Sequence, residues 1–96
     1  MDRQQSEDGW RRFIHLCHQA KSEDELATLF GLFLTIEERD DLSGRFRIVE
    51  ELLKGQKNQR DMAKDLGVSI SKITRGSNSL KVISPELRAF LEKRMT

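Results

Sequence analysis

The sequence predicts an all-α fold of six helices, and three observations carry that expectation. Apolar residues recur at helical spacing from end to end, while no useful stretch alternates with period two. Capping patterns punctuate the chain between those apolar stripes. The 96 residues include one proline and no tyrosine, and are rich in the strong helix formers Leu, Arg, Lys and Glu.

The first helix is expected over about 8–20, where Trp10, Phe13, Cys17 and Ala20, with Ile14 and Leu16 beside them, follow helical spacing. Residues 1–9 are expected as a flexible, frayed arm, leaving 10–96 as a single helical domain. Ser22 and Glu25 have capping-box spacing ahead of Leu26, Leu29, Phe30 and Phe33. Thr35 and Glu38 repeat it at the head of a longer helix, whose stripe is Leu42, Phe46, Val49 and Leu53, widened by Ile48 and Leu52. Gly55 is its stop. Asn58 caps a short fourth helix to Leu66, with Gly67 as a left-handed exit. Ser69 caps a fifth, expected to be interrupted near Gly76. Ser84 and Pro85 read as N-cap and first position of a sixth, carrying Leu87, Phe90 and Leu91.

A chain of 96 residues holds one core, and six helices must share it. Charged residues make up 34% and hydrophobic ones 36%, a low apolar share for a globular domain. Yet Phe30, Leu32, Phe33 and Leu34 make the second helix apolar nearly all round, which calls for burial on every side. A homodimer that shares its core between chains answers both points. The longest apolar runs are two or three residues, against the roughly 20 needed to span a bilayer, so no membrane segment is expected. The polar start MDRQQSEDGW predicts no signal peptide. One cysteine excludes a disulfide framework within the chain and fits a reducing, cytoplasmic setting.

The formal charge of +1 conceals an asymmetry. Residues 1–56 hold eight basic and twelve acidic side chains, a balance of −4, whereas 57–96 hold nine and four, a balance of +5. Charge alone leaves a polyanion partner and a solvated lysine-rich surface as equals. A motif separates them. Residues 59–78, QRDMAKDLGVSISKITRGSN, have helix-turn-helix layout: small Ala63 where two helices cross, Gly67 four residues later for the turn, and Met62, Leu66, Val68 and Ile73 as pins. Ile70, Ser71, Lys72, Thr74 and Arg75 then line the helix that enters a major groove. Such motifs end their second helix on an apolar lock, but here that place holds Gly76, leaving a notch that something else must fill.

At these residues the sequence resembles the tryptophan operon repressor family. The stretch ITRGSNSLK (Ile73–Lys81) is a highly specific signature, supported by RIVEELLKG (Arg47–Gly55) and LFLT (Leu32–Thr35), and the similarity runs without apparent gap from Trp10 to Leu91. The resemblance implies an intertwined all-helical homodimer that binds pseudo-palindromic operator DNA when loaded with L-tryptophan as corepressor, with no other cofactor. It implies a dimer core over about 10–55 and 84–96, and a helix-turn-helix over about 58–80. Carried over by position, Arg45 and Arg75 sandwich the indole and help hold the carboxylate. The Leu32 and Leu34 carbonyls, Thr35 and the Ser79 hydroxyl match the groups around the ammonium and pocket mouth, and Gly76 lies beside the indole. The chemistry suits the residue types: guanidinium planes stack on aromatic faces and pair with carboxylates in ways lysine does not reproduce. On the DNA side Arg60 matches a guanine-reading arginine. Ile70, Ser71 and Thr74 match base-facing positions, and Gln59, Asn78 and Lys81 positions near phosphates. Lys72 and Gly44 stand where the best-known members have threonine, Ile36 where they have proline, and Val82 and Ile83 where they have alanine. Lys72 implies an added phosphate contact, while Gly44 removes a hydroxyl.

Other constellations point nowhere stronger. His15 and His18, with Cys17 between them, lack the third ligand that zinc sites require, so no metal is expected. Glu37, Glu38, Asp40 and Asp41 crowd a helix start, where they favour the dipole. No Ser/His/Asp set, phosphate-cradling glycine loop or paired-carboxylate pocket is present, so an enzyme is not expected. Two other readings stay open: a helix-turn-helix regulator of this lineage with a different ligand or none, and a helical protein-interaction module.

Overall fold

The computed structural model describes residues 1–95, and these form six α-helices with no strand among them. In order they are α1 (Arg3–His18), α2 (Glu23–Phe33), α3 (Ile36–Lys54), α4 (Gln59–Leu66), α5 (Ile70–Lys81) and α6 (Pro85–Met95). The chain divides into two compact units, 1–37 and 38–96.

In the first unit, α1 starts at Arg3, well before residue 8, so the segment expected as a frayed arm carries helical backbone. The cause is local. Asp2 and Gln5 make a reciprocal capping box, each side chain accepting from the other's backbone N–H at 2.8 and 3.0 Å. Arg3–Glu7 and Asp8–Arg12 add ion pairs one turn apart. Ser22 caps α2, its hydroxyl accepting from the Glu25 N–H at 3.1 Å. The two helices meet through aromatic rings: Phe13 lies edge-on to Phe33 at 5.3 Å and 6.0 Å from Phe30.

The second unit is built on Ile48 of α3, Met62 of α4 and Ile73 of α5, all buried, with Leu52, Ala63, Leu66 and Val68 packed around them. Asn58 caps α4 by accepting from the Asp61 N–H at 2.8 Å, and Ser69 caps α5 by accepting from the Lys72 N–H at 3.2 Å. Between them Gly67 adopts φ 66° and ψ 35°, the left-handed turn that a side chain would resist. Ser84 caps α6, accepting from the Leu87 N–H at 3.1 Å.

One expectation is corrected here. Helix α5 runs unbroken through Gly76 to Lys81 instead of stopping there. A Cβ at Gly76 would lie 2.9 Å from Ile48 Cγ2 and 3.5 Å from Leu52 Cδ1, so the absent side chain lets α5 approach α3 closely. The core side chains of α3 occupy the space on that side, and the contact offsets glycine's weak helix preference.

A polar strap joins α3 to α4. Lys57 Nζ lies 2.9 Å from Asp65 and 4.0 Å from Glu51, the one buried charged side chain among the described residues. The hydrogen bond to Asp65, then the charges of Asp65 and Glu51, hold the Lys57 ammonium above its ordinary value of 10.5.

Candidate functional site

The sequence of α5 sorts its side chains into three sectors. At about 100° per residue, Ile70, Ser71, Thr74, Asn78 and Lys81 fall within one sector about 100° wide, and Lys72, Arg75, Gly76 and Ser79 within the next. Ile73, fully buried, marks the third, which faces the core. The first sector is solvent-exposed throughout, Ile70 included. Gln59 and Arg60 extend it at the start of α4, where both are exposed. Thr74 Oγ1 donates to Gln59 Oε1 at 3.3 Å, tying the two helices together on this face. A polar, cation-bearing ridge of this kind is suited to a nucleic-acid groove.

The second sector lines a cavity of about 490 Å³, within the range of small-molecule pockets. Arg45 of α3 and Arg75, Gly76 and Ser79 of α5 all contribute to its wall. Ile48, Val49 and Val68 supply apolar surface, and Asp40, Asp41, Gly44 and Lys72 complete the lining. Four of the seven expected ligand residues are thus brought together. Leu32, Leu34 and Thr35 belong to the end of α2 and the α2–α3 junction, in the first unit.

Lys72 is differently placed from its expected partners. It shares the cavity wall with Arg75, on a different sector of α5 from Ile70, Ser71 and Thr74. Asp40 and Asp41 had no expected site role, and both line the cavity. A signal for Asp41 existed: 41, 45, 48 and 49 share one helical face of α3, so an arginine assigned to a ligand brings that aspartate with it. A Cβ at Gly44 meets open space, so the cavity gains room there at no packing cost.

Among the described residues, no group of three or more His, Cys, Asp or Glu side chains is placed to hold a metal ion. His15 and His18 lie near the exposed end of α1. No helix is long and apolar enough to cross a membrane, again among the described residues.

Comparisons with known proteins agree on one lineage. A family model described as Trp repressor protein matches residues 8–95. A Trp operon repressor homolog of Chlamydia trachomatis serovar D is 46% identical over 89 residues, covering 93% of this chain and 95% of that protein. Similar proteins of the same description occur in Chlamydia caviae, 45% identical with 96% and 91% covered, and in Vibrio cholerae, 40% identical with 95% and 88% covered. The six-helix architecture and a match that spans nearly every element leave one assignment: the chain belongs to the Trp repressor protein family, a family of transcriptional regulators.

Proposed function

We propose that this protein is an L-tryptophan-dependent repressor that binds pseudo-palindromic operator DNA as a homodimer. The observation that carries the proposal is the pairing of two faces on one helix. On α5, the cavity bearing Arg75, Gly76 and Ser79 lies beside the exposed ridge of Ile70, Ser71, Thr74, Asn78 and Lys81. A ligand seated between Arg45 and Arg75 bears directly on the helix that reads DNA. The indole packs on the apolar lining with a guanidinium on each side, and the carboxylate pairs with them. Leu32 and Leu34, through their carbonyls, and Thr35 serve the ammonium, as the family pattern implies.

Tryptophan then acts by holding α4 and α5 in the pose that a duplex accepts. In a two-fold dimer the two reading helices must enter successive major grooves, about 34 Å apart, so a small rotation of either costs binding. Arg60 reads guanine, Ile70, Ser71 and Thr74 face bases, and Gln59, Asn78 and Lys81 meet phosphates, with Lys72 near enough to the ridge to add a longer-range attraction. Reciprocity fixes the test. Tryptophan tightens operator binding by the same factor by which operator tightens tryptophan binding. Gel shifts with and without L-tryptophan, paired with calorimetry of tryptophan binding with and without duplex, measure both factors. Equal operator affinity in the two conditions leaves the regulator with another ligand or none, and no salt-dependent binding to any palindromic duplex leaves a protein-interaction module.

A further inference from the structure

The ion pairs Arg3–Glu7, Asp8–Arg12, Arg47–Glu50 and Arg88–Glu92 each lie within a single helix. Lys57 is placed differently. It stands in the connection between α3 and α4, residues 55–58, two positions after Gly55. Its ammonium reaches back to Glu51 in the last turn of α3 and forward to Asp65 in the last turn of α4. The two contacts differ in kind. The Glu51 side chain is only 11% exposed, so its carboxylate has little water around it and depends on a nearby cation. The Asp65 side chain is 49% exposed, and its 2.9 Å contact is the shorter one.

Gly55, between the two helices, holds φ 65° and has open space where a Cβ would stand. A left-handed glycine with no neighbour to brace it is a natural pivot. Beyond it, α4 is eight residues long, too short to hold a direction by itself. It carries Asp65 together with Gln59 and Arg60, the two residues assigned to DNA, on one rod, and the Thr74–Gln59 hydrogen bond couples α5 to it. Fixing Asp65 against α3 therefore fixes the pitch of the α4–α5 pair. We propose that Lys57 is a positioning residue: it clamps the DNA-reading helices to α3 across the Gly55 pivot and so sets how far they are in place before any ligand arrives. The inference rests on α4 and α5 as the DNA-reading pair, and it places a source of order outside the cavity. Clamp and ligand act on one equilibrium. The clamp matters most when the cavity is empty, and least when a bound ligand already holds the pose.

DNA titrations on the full chain test this, with and without saturating L-tryptophan. The probe is a pseudo-palindromic duplex that the wild-type protein selects from a random pool. Lys57→Met and Asp65→Asn should each weaken binding without tryptophan by about two- to fivefold per reading head, the range of a partly exposed ion pair. With tryptophan bound the loss should shrink below about twofold, so the factor by which tryptophan tightens binding rises in both variants. Lys57→Arg, which keeps the charge and the reach, should stay near wild type. Charge alone predicts another pattern: removing a cation weakens DNA binding and removing an anion strengthens it, whatever the ligand state. Weaker binding by Asp65→Asn is therefore the diagnostic, and this variant leaves Lys57 in place beside buried Glu51, so the fold keeps that pairing. If Asp65→Asn tightens binding or leaves it unchanged, the clamp is overturned. Equal losses with and without L-tryptophan, in a wild type that responds to tryptophan, overturn it as well. If wild-type affinity is indifferent to tryptophan, the ligand reading falls alone, and the direction of the Asp65→Asn effect still decides the clamp. A wild-type chain that selects no duplex from the pool removes both.

Discussion

Gly44 and Gly76 both sit within helices and both line the cavity, yet their surroundings set opposite outcomes for one added methyl group. At Gly44 a Cβ meets nothing within 4 Å, so alanine there recovers only helix preference. Gly44→Ala is expected to stabilise the protein by about 0.5–1 kcal/mol. At Gly76 the methyl would come within 2.9 Å of Ile48 Cγ2. That atom is attached at the β-branch of a residue 2% exposed, where rotation about χ1 is closed off in a helix. Overpacking of about 2 kcal/mol then outweighs a propensity gain of about 1 kcal/mol, and Gly76→Ala should lose about 1 kcal/mol net. Urea unfolding of both variants at equal protein concentration checks the pair, and midpoints moving in the same direction would refute the contrast.

Elements were legible wherever one side chain acts on its own backbone. Ser22, Asn58, Ser69 and Ser84 cap the helices that their spacing announces, and Gly67 turns left-handed between α4 and α5. The unbroken α5 was not legible, because its support comes from Ile48, 28 positions earlier in the chain. Nor was the start of α1, where Asp2 and Gln5 must reach for each other's backbone at once. At the site, Arg45, Arg75, Gly76 and Ser79 came from motif identity, and helical periodicity sets Asp41 beside Arg45 and Lys72 beside Arg75, whereas Asp40 needed α3 and α5 placed side by side. The same limit hid the Lys57 strap, which links the end of α3, the connecting loop and α4. Its pH dependence has a definite sign. The Lys57 value is raised on folding, so the strap's contribution is complete below 10.5 and fades as pH climbs through the higher folded value. Lys57→Met should therefore lower the melting temperature at pH 7 to 9, and the gap between variant and wild type should close at more alkaline pH. A gap that persists there would assign Lys57 a packing role instead of an electrostatic one.

At the scale of the whole molecule, the ratio of buried to exposed apolar surface is the controlling fact. Among the described residues, only Ile48, Met62 and Ile73 form a buried apolar core, while Leu32 is 76% exposed, Trp10 61% and Phe33 51%. Ile14, Leu42, Phe46, Leu87 and Phe90 are exposed as well, and they come from α1, α3 and α6, so the uncovered surface is spread over the elements expected to form the dimer core. A monomer that leaves so many large apolar side chains in water forgoes the burial that offsets chain entropy. The second copy proposed above would cover them, and folding would then be inseparable from association. Thermal stability should accordingly rise with protein concentration, because mass action favours a folded dimer over two unfolded chains. Melting curves across a hundredfold range of concentration, run alongside sedimentation, read this directly. L-tryptophan should raise the melting temperature further at every concentration, since a ligand that binds only the folded form stabilises it by RT ln(1 + L/Kd), where L is the free ligand concentration, a quantity that keeps growing as free ligand rises. The basic surface gives an internal control. Of the nine Lys and Arg in 57–96, those on the α4–α5 ridge are left out of the proposed dimer core, so Arg60→Ala should leave the concentration dependence unchanged. A melting temperature independent of concentration, with sedimentation as a folded monomer at micromolar levels, would remove the shared core.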